Sequence, residues 1–294
     1  MTTYEAMLEQ YKKNQNTGAK KTLSSEENLK NYFTTWIPDN IKQKFKQFRI
    51  IPSVDGSTVF KEVKGHSIEI DKKWPKFLCP KATDGLPCPF CELRESLQAS
   101  FKATGNESDK ELAKKYNQKE MFVIKVIDRE KEDEGTKFFR FNRDYTNQGV
   151  YDKIMAIMLK KQSDVSHATT GRDLSLDIQR DQKGRPAVNS VMGEDVSPIH
   201  TDETLAKSWV EDGRTWRDVY KVKPYEYLEL IINGEVPYWD KDKSIYVAKS
   251  SLDTSNDTSE SKDTSELVMS KQVELGNPTQ TNSTPEDDGD DLPF

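Results

Sequence analysis

The chain has 294 residues, of which 34% are hydrophobic and 32% are charged. This composition is poorer in core-forming residues than that of an average soluble domain, so we expect folded units joined to segments too polar to fold alone. The sequence contains no apolar run near the 18 residues of a membrane-spanning helix and no basic start followed by an apolar stretch, which argues against a membrane protein and a secreted one.

The net charge of -6 is distributed unevenly along the chain. Residues 251–294 hold eleven acidic residues and two lysines, so the rest of the chain is net +3, and residues 40–81 alone are net +6. A basic body joined to an acidic tail is typical of a protein that binds a polyanion and carries an internal competitor for the same surface. A solvated charged surface without a ligand is the alternative interpretation.

The N-terminal region is predicted to be a helix and an arm. Apolar residues at helical spacing predict a short helix at 3–13, and the polar, basic stretch after it predicts a flexible arm. A second short helix is predicted from near Ser25, where Ser-Ser-Glu-Glu offers capping groups, to a point before Pro38. We interpret residues 1–40 as a segment for self-association.

Residues 41–200 alternate predicted strands with predicted helices. Runs of aromatic and β-branched residues predict strands at 44–51, 58–63, 66–70, 121–127, 137–142, 174–180 and 187–192. Helical periodicity predicts helices at 91–101, 107–117 and 150–158. This order favours a mainly β, α+β fold, an OB-type partly open antiparallel barrel, over a parallel α/β sheet.

The C-terminal part divides into an aromatic-rich extension and a polar tail. Residues 201–249 are predicted to be helical and to pack on the core through Trp209, Trp216, Tyr220, Tyr225, Tyr227, Tyr238 and Trp239. Residues 250–294 are rich in Ser, Thr and Asp, with three Asp-Thr-Ser repeats, and are predicted to be a disordered acidic tail for partner binding.

All three cysteines lie within thirteen residues, and a histidine precedes them. His66, Cys79, Cys88 and Cys91 form the pattern H-x12-C-x8-C-x2-C. An odd number of clustered cysteines disfavours a disulfide framework, and three thiolates with one imidazole complete a tetrahedral zinc site. We therefore predict one structural Zn²⁺ in a zinc-bearing subdomain of the core; three buried free thiols and an unrelated histidine are the alternative.

A zinc site can also be catalytic, and nucleobase deaminases carry H-x-E followed by P-C-x-x-C. Pro87, Cys88 and Cys91 match the second half of that pattern, but the glutamate comes one residue late, at Glu69. Cys79 would also fill the coordination position that a catalytic zinc keeps open. We expect no enzymatic activity, and a zinc-dependent nucleobase-modifying enzyme is retained as an alternative.

Basic and aromatic residues alternate in several parts of the core. A basic groove lined with aromatic rings captures single-stranded nucleic acid without reading its sequence. Because the side chains of a strand alternate between two faces, Phe122 and Phe138 are assigned to the core. The predicted DNA contacts are Lys44, Lys46, Arg49, Lys72, Lys73, Trp74, Lys76, Tyr116, Lys125, Lys137, Phe139, Arg140, Phe141, Arg143 and Tyr145.

Four spans of the sequence, in the core region, resemble the helix-destabilising single-stranded-DNA-binding protein of T-even bacteriophages. The resemblance is carried by FRIIPS, by GH before the CP and CPFC cluster, by FVIKVIDREKEDEGTKFFRF and by VYDKIMAIM. It implies an OB-type barrel whose zinc ligands are His66, Cys79, Cys88 and Cys91. It also implies cooperative binding along single-stranded DNA through the N-terminal arm, although the start MTTYEAMLEQ departs from the compact basic motif of that family.

The last residues resemble the tail tip of bacterial single-stranded-DNA-binding proteins. The matching residues are Asp287, Asp288, Asp290, Asp291, Leu292, Pro293 and Phe294. This resemblance implies docking on replication, helicase-loading or recombination proteins, with the Phe ring as an apolar anchor and the carboxylates as steering charges. A merely solubilising acidic end is the alternative.

These features predict a protein that coats and protects unpaired DNA during phage replication, recombination and repair, in the cytoplasm of an infected bacterial cell. Binding only the unpaired form would shift the melting equilibrium of DNA without a covalent step. A zinc-ribbon transcription factor that reads duplex DNA is a further alternative.

Overall fold

The computed structural model describes residues 29–70, 74–240 and 243–250. Its strands are β1 (Gln43–Ile50), β2 (Lys61–Ser67), β3 (Lys76–Leu78), β4 (Lys119–Asp128), β5 (Thr136–Asn142), β6 (Arg172–Arg180), β7 (Pro186–Val196), β8 (Pro237–Asp240) and β9 (Ile245–Ala248). Its helices are α1 (Pro80–Asp84), α2 (Pro89–Thr104), α3 (Glu107–Lys115), α4 (Val150–Lys161), α5 (Glu203–Val210), α6 (Trp216–Val219) and α7 (Tyr225–Ile232). Among these helices, none is both long and apolar enough to cross a bilayer.

The predicted N-terminal helix and most of the predicted arm, residues 1–28, lie outside the described residues. The same holds for residues 251–294, which carry the acidic tail and the predicted partner-binding tip. The fold is therefore that of the predicted core and its aromatic-rich extension.

Seven of the described strands form one mainly antiparallel sheet in which β4 is central. The order is β3-β2-β4-β1-β6-β7, and β5 pairs with the other edge of β4. Val123 of β4 lies opposite Lys61 of β2 on one side and Arg140 of β5 on the other. The last residues of β4 pair instead with β1, so β2 and β1 share one edge of β4. Within the described residues no strand pair joins β5 to β7, so the sheet is open there.

One face of the sheet carries the main apolar core. Phe48, Ile124, Phe139 and Leu174 come from four different strands and are each at most 2% exposed. They meet in one cluster because alternate side chains of each strand point to the same face. Helix α4 packs against β7 and adds the fully buried Ile154. A seven-stranded, mainly antiparallel sheet with its core on one face is compatible with an open barrel.

Two predicted elements differ from the structure. The runs at 58–63 and 66–70 were expected to be separate strands, but 61–67 is one strand because Gly65 continues the ladder between β3 and β4. A side chain at position 65 would meet the Phe77 carbonyl oxygen at 2.4 Å, so glycine allows this close approach. The extension ends in the β8–β9 hairpin rather than in a helix, with Trp239 opposite Tyr246.

The folded core begins before the predicted boundary at residue 41. Phe33 and Ile37 are buried in the main core. The amide of Phe33 donates to the carbonyl of Phe138 at 3.0 Å, and the amide of Phe138 donates to the carbonyl of Asn31 at 2.9 Å. Tyr32 forms a bridge with Phe138 of β5, and the residues from Tyr32 to Pro38 are not helical, so a helix that begins near Ser25 ends before Pro38, as predicted.

The aromatic-rich extension covers the sheet and the cysteine segment at three places. Trp209 packs in a cluster beside β4, Tyr220 packs on the β4–β5 hairpin and Tyr227 packs near the cysteines. All three rings are buried, as the core-packing interpretation requires. Tyr238 and Trp239 of the terminal hairpin are instead exposed.

Both faces of β5 are covered, which corrects the predicted role of two of its aromatic residues. Phe139 and Phe141 lie in the main core and are 2% and 6% exposed. Phe122 and Phe138 are buried as expected, and Phe138 packs under Tyr220 on the opposite face. Phe139 and Phe141 therefore cannot stack on bases, because their rings are enclosed in the main core.

Arg49, another predicted DNA contact, is fully buried. Its guanidinium donates to the carbonyls of Ser197 and His167 at 2.8 and 3.0 Å and lies 3.4 Å from Asp173. Arg129 holds the same carboxylate from a distance of 2.8 Å. This network ties β1 to the segments before β6 and after β7, so Arg49 serves the fold and does not face a ligand.

Lys137 and Lys46 are also turned inward, contrary to their predicted role. Lys137 is 2% exposed and pairs with Glu134 and Asp128. Lys46 lies 3.6 Å from Asp128 and donates to the carbonyl of Thr34 at 3.0 Å, and burial lowers its pKa. Buried charges persist in proteins when they are paired and hydrogen-bonded, which explains why these lysines lie among carboxylates.

Replacing Arg49 with Ala should destabilise the protein by about 3–5 kcal/mol, because Asp173 and two carbonyls lose a buried partner. Urea unfolding measures this change. Lys44→Ala is the control: it removes a partly exposed pair with Glu130 and should cost less than about 1 kcal/mol. Equal stability of the two variants would contradict the role of the network.

Candidate metal centre and nucleic-acid interface

The four predicted metal ligands come together from one strand and two helix starts. His66 lies on β2, opposite Phe77 of β3. Cys79 directly precedes α1, Cys88 directly precedes α2, and Cys91 lies in the first turn of α2. A proline occupies the first position of each helix, where its fixed φ suits a helix start. These two starts direct the thiols to the same place, beside the imidazole.

The ligand atoms have the spacing of a tetrahedral metal site. His66 Nε2 lies 3.5 Å from Cys88 Sγ and 3.6 Å from Cys91 Sγ, and Cys79 Sγ lies 3.6 Å from Cys91 Sγ. All four atoms are within 4.8 Å of one another, and all four residues are buried. Zinc–ligand distances place neighbouring atoms of a tetrahedral site about 3.6 to 3.8 Å apart. The group could therefore hold one metal ion.

The segment between α3 and β4 supplies the outer contacts of this metal centre. His66 Nδ1 lies 3.0 Å from the carbonyl of Tyr116. A carbonyl only accepts, so Nδ1 donates and Nε2 keeps its lone pair for a metal. The side-chain amide of Gln118 donates to Cys79 Sγ at 3.0 Å and to Cys91 Sγ at 3.3 Å. Tyr116, predicted as a DNA contact, thus contributes its backbone to the metal centre.

The three sulfurs are coupled electrostatically. A hydrogen bond from the Cys88 thiol lowers the pKa of Cys79 to about 3, and the same bond raises the pKa of Cys88 far above its usual range. Burial raises the pKa of Cys91. The thiolate that these contacts favour at Cys79 is the form that binds a metal.

The four side chains of the metal centre are enclosed by the protein. All four ligands are at most 1% exposed, and Cys79 occupies the position that a catalytic zinc leaves open. Glu69, the acid-base candidate of the deaminase alternative, is exposed and does not belong to the group of metal-binding side chains. A water or a substrate would have to displace a protein ligand to reach the metal.

A second feature lies beside the metal centre, on the outer face of the sheet. Lys76 is on β3, Lys119 begins β4 and Arg140 is on β5. Each lies two residues from a buried residue of the apolar cluster that contains Tyr220. These neighbours are Leu78 for Lys76, Met121 for Lys119 and Phe138 for Arg140. Side chains two residues apart on a strand share a face, so the three cations lie on the same side of the sheet.

The exposed ring of Trp74 lies close in sequence to the first of these cations. It lies two residues before Lys76, where the β2–β3 pairing continues through a hydrogen bond from Ile68 to Pro75, and it is 49% exposed. We refer to Trp74, Lys76, Lys119 and Arg140 as the cationic face. Trp74 is thus an exposed indole two residues from one of these cations, and exposed aromatic rings combined with basic residues bind unpaired nucleotides.

In the described part of the chain, no hydrogen bond or ion pair joins Lys76, Lys119 or Arg140 to a carboxylate. Burial lowers the pKa of Lys76 to about 8, with smaller effects from Arg140 and Lys119. Arg140 lies over the ring of Tyr220, 4.6 Å from its centroid. Like charges held together without a carboxylate repel one another, and a bound anion relieves that repulsion.

Two other predicted DNA contacts are already engaged within the protein. Lys44 pairs with Glu130 at 2.9 Å. Lys125 donates to the backbone carbonyl of Asp212 at 2.6 Å, and burial lowers its pKa. A ligand would have to displace these contacts, so neither lysine belongs to the cationic face.

Arg143 and Tyr145 form a separate exposed pair. Arg143 lies 2.8 Å from Glu120 and 5.3 Å from the ring centroid of Tyr145, which is 72% exposed. The nearby carboxylate makes this patch less suited to a phosphate than the cationic face. Lys72 and Lys73, also predicted as DNA contacts, lie outside the described residues.

Sequence reasoning missed Gln118 and Lys119. Lys119 lies two residues before the predicted strand at 121–127, so extending the alternation by one step would have placed it beside Met121. No sequence signal identifies Gln118, because its contact with sulfur depends on where α3 ends and how β4 begins.

Comparison with known proteins adds no family assignment. Neither a scan against protein-family models nor a search of the curated proteins gives a match for this chain. What the chain binds therefore has to follow from the metal centre and the cationic face.

The metal centre should bind one equivalent of Co²⁺ and give the intense visible bands of a tetrahedral thiolate site. Cys88→Ser should weaken these bands and lower the affinity, because one of three thiolates is lost. Glu69→Gln is the matched control and should change neither the bands nor the stoichiometry. Loss of the tetrahedral spectrum in Glu69→Gln, with Cys88→Ser unaffected, would contradict the assigned ligand set.

Proposed function

We propose that this protein binds single-stranded DNA without sequence specificity and holds the unpaired strand on the cationic face. No catalytic step is involved, because binding only the unpaired form shifts the equilibrium between duplex and single strands. The observation that carries the proposal is the absence of carboxylate partners, in the described part of the chain, for Lys76, Lys119 and Arg140 beside the exposed Trp74.

The chemistry of a single strand complements this surface. Its phosphates can pair with the three cations in place of carboxylates. Its unstacked bases offer flat faces to an exposed indole. In a duplex the base faces are stacked on each other, so Trp74 would gain little from intact DNA. Preference for the single strand follows from the indole, and overall affinity follows from the cations.

We further propose that the metal is one structural Zn²⁺. Three thiolates and an imidazole in a closed, tetrahedral arrangement are the ligands that zinc prefers in structural sites. Lys76 lies three residues before Cys79, and Lys119 directly follows Gln118. By joining these segments, the ion would fix the positions of two cations of the face relative to each other.

The resemblance to the T-even phage family supports the wider role. The mainly antiparallel sheet suits an OB-type barrel as the scaffold, and the role would be in phage replication, recombination and repair in an infected bacterial cell. We propose that the acidic tail at 250–294 recruits replication, helicase-loading or recombination proteins. The N-terminal segment before the core residues Phe33 and Ile37 would support self-association along DNA.

Titration of the full chain with oligo(dT), followed by tryptophan fluorescence, tests the proposal. Binding should quench the emission, and the logarithm of affinity should fall linearly with the logarithm of salt concentration. The double variant Lys76→Ala, Arg140→Ala should make this slope shallower by about 1.4, since each phosphate contact on a single strand contributes about 0.7.

Lys183→Ala is the matched control, because Lys183 is an exposed lysine on the turn before β7. It should leave the slope unchanged. Equal affinity for duplex and oligo(dT) would overturn the proposed function, and so would an unchanged slope in the double variant.

Affinity for oligo(dT) should also depend on pH through Lys76. Its pKa of about 8 means that it loses its proton as the pH rises from 7 to 9, so binding should weaken over this range. DNA favours the charged form, so the bound complex should lose its proton at a higher pH than the free protein. Lys76→Arg keeps the charge and should abolish this dependence, whereas an equal pH dependence in both proteins would exclude Lys76 as its source.

A further inference from the structure

We infer that Gln118 is a positioning residue of the metal centre, whose side-chain amide holds two of the three thiolates and governs how tightly the metal is retained. The amide nitrogen lies 3.0 Å from Cys79 Sγ and 3.3 Å from Cys91 Sγ. A primary amide has two N–H groups, and its nitrogen here lies within hydrogen-bonding distance of two sulfurs.

The charge of the metal centre explains why these donors matter. Three thiolates and a neutral imidazole around a divalent ion leave one net negative charge in a buried site. N–H groups directed at sulfur stabilise that charge, and hydrogen bonds to an ionised acceptor are about twice as strong as neutral ones. A donor at position 118 should therefore stabilise the loaded centre and make its sulfurs weaker nucleophiles.

The three sulfurs differ in how much they depend on Gln118. The backbone amide of Ala82 donates to Cys79, and the backbone amide of Cys91 donates to Cys88. Cys91 accepts a hydrogen bond from the side-chain amide of Gln118. We expect Cys91 to be the sulfur most affected when Gln118 is replaced.

The backbone around Gln118 gives this contact a fixed geometry. Tyr116 ends α3 and binds the imidazole of His66 through its carbonyl, and β4 begins at Lys119. Two of the three residues between helix and strand thus contact ligands of the metal centre. The residue after Gln118 is Lys119, which belongs to the cationic face. The role of Gln118 in metal retention does not require that face to bind DNA.

The test uses the full-length zinc-loaded protein with Gln118 replaced by Met, Glu or Lys. Met keeps the length of the side chain but removes both donors, so zinc should be released to a chelating dye about 10-fold to 100-fold more readily. Glu places a carboxylate against the thiolates and should release zinc faster still. Lys restores N–H donors, so it should retain zinc as well as Gln118 does.

A spectroscopic measurement separates this role from a general effect on folding. In the Co²⁺-loaded protein, loss of the donors should move the sulfur-to-cobalt charge-transfer band of Gln118→Met to longer wavelength, and Lys should reverse the shift. Asn117→Ala, at the exposed neighbouring position, is the matched control and should match the unmodified protein. If Met and Glu retain zinc and keep the band position as the control does, the inference is wrong.

These measurements are made without DNA, so they stand apart from the oligo(dT) titration. A protein that fails to bind oligo(dT) but releases zinc as described would contradict the proposed function and support Gln118 as a positioning residue. Normal oligo(dT) binding with unchanged zinc release in the Met and Glu variants would support the proposed function and contradict the role of Gln118.

Discussion

The convergence of His66, Cys79, Cys88 and Cys91 on one point is the constraint on which the rest of this protein depends. In the residues that the structure describes between β2 and α2, the regular elements are a three-residue strand and a five-residue helix, too little to fix the path of the segment. A metal ion bound to all four side chains would join β2 to both helix starts. The apolar cluster of Phe77, Phe90 and α7 then closes around the ligands and excludes water.

Strand and helix positions could be largely predicted because periodicity is a local property of the sequence. The hairpin at 121–127 and 137–142 and the helix at 150–158 are present in the structure. Periodicity does not predict which faces of the strands are covered by other parts of the chain. Phe139 and Phe141 were expected at the surface, but β5 is enclosed by the main core on one face and by Tyr220 on the other. Tyr220 lies about eighty residues farther along the chain.

The candidate site could be predicted where the spacing of residues along the sequence identifies their chemistry. The ligand set follows from the clustering of all cysteines near one histidine, whereas the fate of each basic residue depends on distant partners. Arg49 and Lys137 lie in alternating basic and aromatic stretches like that of Arg140, yet both are buried with carboxylates. Their partners include Asp173 and Asp128, which no local pattern connects to them. Net charge along the sequence therefore overestimates the accessible positive surface.

The cations that remain without carboxylate partners are the informative ones. Lys44 and Arg143 are held by Glu130 and Glu120, so a phosphate there would compete with a carboxylate already in place. Lys76 has no such partner in the described part of the chain, and its lowered pKa reflects the cost of keeping a half-buried ammonium near other cations. A phosphate would reduce that cost without breaking an ion pair within the fold. An anionic chain bound at these cations would offset the repulsion between them, so such a surface would be less favourable when empty than when an anion is bound.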